Sequence, residues 1–569
     1  MSDALVVTNE GRSMKLTRRD LLAWSAGAAA GLIVTPIPWK ILDDTSIWSQ
    51  NWPWIPQPAR VPVEIIQSHC TLCPKGCGLR VRMAAGWAVG VAGMKTHPIS
   101  HGALCPLGFG AHQLNWHPQR LREVRHRGNP SSWTEAHAAF AKAKSEGPVV
   151  IIDGYPGRGA SSVFEGFAEA NHGLYRVVLG AESRALTPYE QWTGAPALSL
   201  GYDLENTQTI ISFGAPLLDG WGTPGYVTRL WAEKSAGADD PQLRIIQIEP
   251  SLSRTAARAW KWMPIREGSE SALASGLARV LLEQNLVAAH GPVPPIALSE
   301  AAARSGLSED AIRDLARVLV ERQPTVAIAA NENPSVAALS VILGSVGVRG
   351  GIVRREKIER AYFSANPVIP DARAVLIDSS VPWDFVPQTG AEIFRFAAWN
   401  GGLTNADWLL PAPGFLEELT DVPTAPALPV ETYAVAPALA KPTYEVQSAA
   451  QFLAGTDSNL ASTEKIIHQR CAELFRNRSG TLHGQESIAI AKIESVQKLE
   501  ERLWKGAVWV GEAPPPASLR CELKEWPSET TPAHTTGWTN SWDVPVLPPL
   551  ASKLYIESSL REAPERRNA

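Results

Sequence analysis

Cys70, Cys73 and Cys77 stand in S-H-C-T-L-C-P-K-G-C-G, a C-x2-C-x3-C run, and Cys105 follows after 27 intervening residues in G-A-L-C-P-L-G-F-G. Thiolates gathered in this way hold metal. An iron–sulfur cube needs ligands converging from several sides, and turns at Pro74, Gly76 and Gly78 let one loop supply three of them. Four thiolates also suit tetrahedral zinc. Zinc sites more often repeat a C-x2-C pair, which this chain does not, so the spacing favours a [4Fe–4S] cluster and leaves zinc open. No C-x-x-C-H is present, which removes covalent c-type haem. His69, His97, His101, His112 and His117 surround the stretch. Because four Cys already satisfy a cube, each His reads as a hydrogen-bonding or surface residue, with His69 placed to tune the cluster.

The ligands need a scaffold that returns Cys105 to the first three. Between them, G-L-R-V-R-M-A-A-G-W-A-V-G-V-A-G-M alternates in two short runs broken at Gly86, the pattern of a β-hairpin. Further on, β-branched apolar runs at Val149–Ile152, Thr209–Phe213, Arg244–Glu249, Val326–Ala330 and Ala374–Ile377 read as buried parallel strands. Helical segments such as Ser132–Lys144, Glu270–Glu283 and Glu309–Glu321 alternate with them, so the bulk is expected to be α/β with doubly wound sheets. Gly157 and Gly159 follow a strand and read as a strand-to-helix turn, since G-x-G-x-x-S alone is a weak nucleotide signal.

The chain has 569 residues, 45% hydrophobic and 19% charged, which supports several cores. A net charge of −4 gives no basic excess for nucleic acid. Six cysteines do not make a disulfide scaffold; Cys471 and Cys521 are either a disulfide pair or two buried thiols. The 21 Trp residues are read as core or interface material. At the N-terminus, M-K-L-T-R-R-D-L-L-A-W-S-A-G-A-A-A-G-L-I places Arg18 and Arg19 before an Ala/Gly-rich apolar run, the layout of a twin-arginine export signal. That run is short for a bilayer span, which needs roughly 20 apolar residues. Pro36 to Pro62 reads as a tether.

Beyond the cysteines, five blocks resemble the molybdopterin oxidoreductase superfamily, the relatives of dimethyl sulfoxide reductase, formate dehydrogenase and periplasmic nitrate reductase. They are Y-D-L-E-N-T-Q-T-I-I-S-F-G-A-P (Tyr202 to Pro216), I-I-Q-I-E-P-S-L-S-R-T-A (Ile245 to Ala256), P-I-R-E-G-S-E-S-A-L (Pro264 to Leu273), L-S-V-I-L-G-S-V-G-V-R-G-G-I (Leu339 to Ile352) and N-A-D-W-L-L-P-A-P-G-F-L-E (Asn405 to Glu417). They run in family order over residues 61 to 425. The resemblance implies a small β-rich [4Fe–4S] domain over 61–125 and a doubly wound α/β region over 126–425, two interleaved domains. An N-terminal signal or anchor occupies 1–45 and a diverged extension 426–569. Gly214, Glu249 and Gly268 would be remnants of a pterin site.

Three departures bear on activity. Family members ligate molybdenum or tungsten from the loop before the Tyr202 block; here L-G-A-E-S-R-A-L-T-P-Y-E-Q-W-T-G-A-P has no Cys, and Glu182 and Ser183 are more readily solvated surface residues than ligands. Leu107 stands where relatives carry Lys or Arg. After about Pro423 the chain turns Pro- and Ala-rich, with a helical stretch over Ser487 to Lys505 and a Pro/Trp-rich tail from Trp509, and does not read as the relatives' C-terminal barrel. These departures argue against a complete molybdopterin guanine dinucleotide site. The resemblance then points to the catalytically degenerate subunits of alternative complex III-type respiratory complexes: an exported, membrane-associated electron-transfer or scaffold subunit. Its implied partners are an iron–sulfur subunit, a quinone-interacting integral membrane subunit and c-type cytochromes. The alternatives are an active molybdenum or tungsten bis-pterin oxidoreductase, and a non-redox protein whose four thiolates hold zinc.

Overall fold

A computed structural model describes residues 5–528, apart from 10–11, 35–61, 289–290, 356–361, 364–367, 370, 383–384, 401–405, 514 and 516–518. Almost all of the expected tether and most of the Pro/Trp-rich tail lie outside these residues. The chain divides into two units, Met1–Pro62 and Val63–Ala569.

In the first unit, the strands Leu5–Asn9 and Arg12–Leu16 pair antiparallel and lead into the helix Arg18–Val34. Thr17 starts that helix by exchanging hydrogen bonds with Asp20, which leaves Leu21, Leu22 and Trp24 exposed beside the arginine pair. Among the described residues, no helix is long and apolar enough to cross a membrane.

The second unit opens with a three-stranded antiparallel sheet of Val63–His69, Gly78–Ala84 and Trp87–Gly93. The expected hairpin is its second half, turned by Ala85 and Gly86, both at positive φ. The strand before it pairs His69 with Gly78 and so makes the Cys70–Cys77 segment the loop between two strands. This sheet rests on the α/β region through Arg120, whose guanidinium donates to the Ala398 and Ala412 carbonyls and meets Glu417 at 2.7 Å, fully buried.

Two parallel sheets form the bulk, as the alternation of strands and helices predicts. One has eight strands in the order Tyr362–Phe363, Leu174–Val178, Val149–Asp153, Ala374–Ile377, Glu392–Ala397, Trp408–Pro411, Arg125–His126 and Asn129–Pro130. The first six are parallel, and the last two turn back antiparallel. The other sheet lies between these strands in sequence and runs Lys261–Met263, Arg244–Ile248, Thr209–Phe213 and Thr325–Ala329, all parallel. Its core is made by Ile211, Phe213, Ile246 and Ile248 against helices Glu270–Glu283, Glu309–Glu321 and Pro334–Ile342. Both faces of each sheet are apolar because helices cover both, which explains the continuous β-branched runs.

Residues 420–513 form a further layer. Thr420–Val422, Thr432–Ala436, Val508–Val510, Thr481–His483 and Ser487–Ala489 form a five-stranded antiparallel sheet, with helices Ala449–Thr456, Thr463–Asn477 and Val496–Trp504. The expected helix over Ser487 to Lys505 is therefore corrected. It begins only at Val496, where the Ser495 hydroxyl accepts from the Lys498 amide, and the residues before it pair as a strand. Cys471 is buried in this layer and Cys521 lies beside Tyr189 of the α/β region, so both are free thiols and the disulfide alternative is not formed.

Candidate metal centre

The loop that carries Cys70, Cys73 and Cys77 is closed at its base by the Cys70 amide donating to the Cys77 carbonyl at 2.8 Å. After the third strand the chain folds back around His97. The His97 Nδ1 accepts from the Ile99 and Ser100 amides and pairs with the Ser100 hydroxyl, and its ring packs against Gly78. Gly93 and Gly102 then approach so closely that a Cβ on Gly93 would meet the Gly102 carbonyl at 2.0 Å. This return brings Cys105 to the loop, where its thiol caps the short helix Pro106–Gly110 by accepting from Gly108 at 3.4 Å.

The four thiols lie close enough to repel one another once ionised. Burial raises the Cys70 thiol well above its usual range, with the other three adding to the effect; Cys73 and Cys77 are pushed up to about 12, and Cys105 is raised mainly by burial. Such a set is costly as free thiolates and suits a cationic iron–sulfur core that binds all four. No group of three or more His, Cys, Asp or Glu is gathered around a single-ion position among the described residues.

Two positive influences face the thiols. The helix Pro224–Lys234 points its N-terminus at Cys77, and the Gly225 amide bonds that sulfur. A Cβ on Gly225 would stand 3.1 Å from the Cys77 sulfur, so only glycine allows this approach. The second is Lys75, inside the loop, whose charge favours the thiolates of Cys73 and Cys77. Lys75 is buried and forms an ion pair with Glu182, itself only 3% exposed. Glu182 and Ser183 are thus buried, which corrects the expectation of solvated surface residues: the segment Ala181–Arg184 turns inward, with Arg184 bonding Asn331 at 2.7 Å. Leu107 packs into the apolar cluster around Cys70 and Cys77. Of the histidines, His69 and His97 are buried, with burial pushing the His69 imidazole down to about 4. His101 is half exposed beside Glu233, and His117 accepts from the Gln119 amide.

In doubly wound folds ligands bind beyond the C-terminal ends of strands where the winding reverses. In the eight-stranded sheet that point lies between Val149–Asp153 and Ala374–Ile377. Here the crevice holds charges of the chain itself: Arg158 meets Asp153 at 2.9 Å and Asp378 at 2.8 Å, and Ser161 and Tyr175 donate to Asp153. Burial opposes ionisation of Asp153, yet Arg158 and these donors keep its carboxyl below the usual range. The adjoining helix Gly159–Ala170 offers the N-terminus at which a phosphate would sit. That seat is taken by Asp421, which accepts from the Gly159 amide at 2.6 Å and is clamped by Arg470 at 2.5 Å. Arg470 also reaches the Gly157 and Arg158 carbonyls. Side chains of the chain itself thus occupy this end of the sheet.

In the smaller sheet the reversal lies between Thr209–Phe213 and Thr325–Ala329. Gly214, at φ +69°, ends the first of these strands, and Trp221 spans the gap by donating to the Ala330 carbonyl at 3.2 Å. Glu249 ends the next strand, buried, its carboxylate accepting from Gln247 at 2.8 Å and the Ser253 amide at 3.2 Å. Gly214 and Glu249 therefore share one sheet end, whereas Gly268 lies in the turn before Glu270–Glu283. Lys75, Gly225, the Asp153–Arg158–Asp378 group and the Asp421–Arg470 pair are absent from the sequence-based candidates. Lys75 was visible as a cation between two ligands; the others depend on distant chain segments meeting.

Residues 63–115, which contain all four cysteines, match the molybdopterin oxidoreductase Fe4S4 domain. The chain is 30% identical over 411 residues to the "Menaquinone reductase, molybdopterin-binding-like subunit" of Nitratidesulfovibrio vulgaris, covering 65% of this chain and 56% of that one. It is 27% identical over 243 residues to a nitrate reductase of Klebsiella oxytoca, covering 40% of this chain and 26% of that one. The chain thus matches about half the length of the first relative and a quarter of the second. Acetylene hydratase from Pelobacter acetylenicus shares the fold, with a TM-score of 0.57 at 13% identity over 79% of this chain and 74% of that one. Residues 63–115 are thus a molybdopterin oxidoreductase Fe4S4 domain, and over a longer stretch the chain is homologous to proteins of the dimethyl sulfoxide reductase superfamily.

Proposed function

We propose that this chain is an exported electron-transfer subunit of a membrane-associated, quinone-linked respiratory oxidoreductase, with one [4Fe–4S] cluster on Cys70, Cys73, Cys77 and Cys105 and no molybdenum site of its own. The observation that carries the reading is the contrast between two sites. The four-thiol cage is complete and lies inside an Fe4S4 domain, which favours a cube over zinc. The dinucleotide crevice, by comparison, is filled by Arg158, its two aspartates and the Asp421–Arg470 clamp. The likeness to a menaquinone reductase subunit supports a quinone-linked complex. The exposed Leu21, Leu22 and Trp24 beside Arg18 and Arg19 support export by the twin-arginine route.

When bound, the cluster supplies one-electron transfer. The chain's part is to bury Cys70 and Cys77, cover Cys73 and Cys105 in part, direct the Gly225 amide at Cys77 and fix Lys75 in the loop between two of the ligands. A single-electron carrier needs a donor and an acceptor, so partners are required: an iron–sulfur subunit, a quinone-interacting membrane subunit and c-type cytochromes. Metal analysis of the intact complex tests this. Expected are about four irons assigned to this subunit, a visible absorbance that bleaches with dithionite, and negligible molybdenum. Stoichiometric molybdenum or tungsten with organic pterin would overturn the absence of an active site, and a colourless zinc-loaded subunit would overturn the electron-transfer role.

A further inference from the structure

We propose that Lys75, held in place by Glu182, is a positioning residue that sets the reduction potential of the cluster; this rests on the [4Fe–4S] reading above. Lys75 lies between two ligands in sequence, and burial keeps water from screening its charge. It stands two positions from each of Cys73 and Cys77, inside the loop that carries three of the ligands. It is oriented by a carboxylate 107 positions away in sequence, on the segment Ala181–Arg184, whose other end is tied to Asn331. The loop cation is thereby fixed to the α/β region.

Reduction takes the cube from [4Fe–4S]2+ to [4Fe–4S]+ by adding one electron from a partner, or from dithionite through mediators in the test. No bond is made or broken and Lys75 keeps its proton. The added negative charge falls on the cube and its sulfurs, where a buried cation stabilises it more than it stabilises the oxidised form. Lys75 therefore raises the potential, and Glu182, ion-paired to the ammonium, partly opposes it. The two members of the pair act with opposite signs.

The experiment uses the full chain with its cluster in place, titrated anaerobically with mediators and followed by the electron paramagnetic resonance signal of the reduced cube. Lys75→Met is expected to move the midpoint to more negative potential and Glu182→Gln to more positive potential. The double variant should fall between the singles. A structural role alone moves both singles the same way, or lowers cluster content without moving the midpoint of what remains; either result overturns the proposal. Should Lys75→Met fail to hold its cluster, Glu182→Gln and the charge-conserving Lys75→Arg decide. A positive shift in the first with a near-unchanged midpoint in the second supports the proposal, and an unmoved or negative Glu182→Gln midpoint overturns it. Wild-type protein without iron overturns the cluster reading and this one with it, whereas unmoved midpoints with intact clusters overturn this one alone.

Discussion

Ionising four thiols side by side, Cys70 and Cys77 buried and Cys73 and Cys105 partly so, is unfavourable, which suits the cage to a cationic iron–sulfur core. Glu418 is a half-buried acid whose carboxyl is also pushed up. It lines a cavity of about 290 Å³ with Glu417, Gln451 and Thr463, and burial pushes its carboxyl up to about 7 from 4.5 against the help of Ser448 and Arg158. Between those two values the folded chain holds a proton that the unfolded chain has released, so this group lowers stability as pH rises through that range and has no further pH effect above it. Glu418→Gln should match wild type below about pH 4.5 and exceed it at pH 8 by on the order of 1–3 kcal/mol. Thermal midpoints measured across pH check this; equal midpoints at pH 8 would count against a Glu418 carboxyl raised to about 7.

At the scale of elements, the helix Gly159–Ala170 shows how a ligand seat becomes a structural joint. Its first amides and its dipole attract an anion, and the strand Thr420–Val422 delivers the Asp421 carboxylate there instead of a phosphate. Arg470, from the helix Thr463–Asn477, neutralises Asp421 and ties both to the Gly157 turn. Arg470→Met leaves Asp421 buried without its cation and should cost roughly 3–5 kcal/mol. Adding Asp421→Asn should recover much of that loss, because the pair and not the charge alone holds the joint. A double variant as unstable as the single would indicate that Arg470 acts through packing.

For the whole molecule, the extension after residue 425 reaches both sites. Its Arg470 clamps Asp421 at the start of Gly159–Ala170, and its Gly506 packs on Gln67, next to the cysteine loop. The cluster domain is small, so its order is expected to depend on the metal. Removing iron with an oxidant and a chelator should open residues 63–115 to limited proteolysis before the parallel sheets, with cleavage sites read by mass spectrometry. Cleavage spread evenly over the chain would argue that the cage is ordered without its cluster. The same comparison separates the roles of the two ends: protection of the five-stranded sheet should persist, since its core of Tyr433, Val435, Ile467 and Leu499 does not involve the four cysteines of the cage.

The primary sequence determined the cage, the hairpin that returns Cys105 and the parallel sheets, because each is written locally, in cysteine spacing, alternation about Gly86 and continuous β-branched runs. Even the absence of Cys in the Leu179–Pro196 loop was legible. Tertiary structure alone decided what filled the space a cofactor would take. Glu182 and Ser183 read as surface residues until the fold turned their segment inward onto Lys75, and nothing local in the sequence marks Asp421 and Arg470 as meeting at the Gly159 turn. The reason is range: ligand spacing and strand periodicity span a few residues, whereas Lys75 meets Glu182 and Gly159 meets Asp421 across more than a hundred, and such meetings follow only from how the sheets and the extension pack.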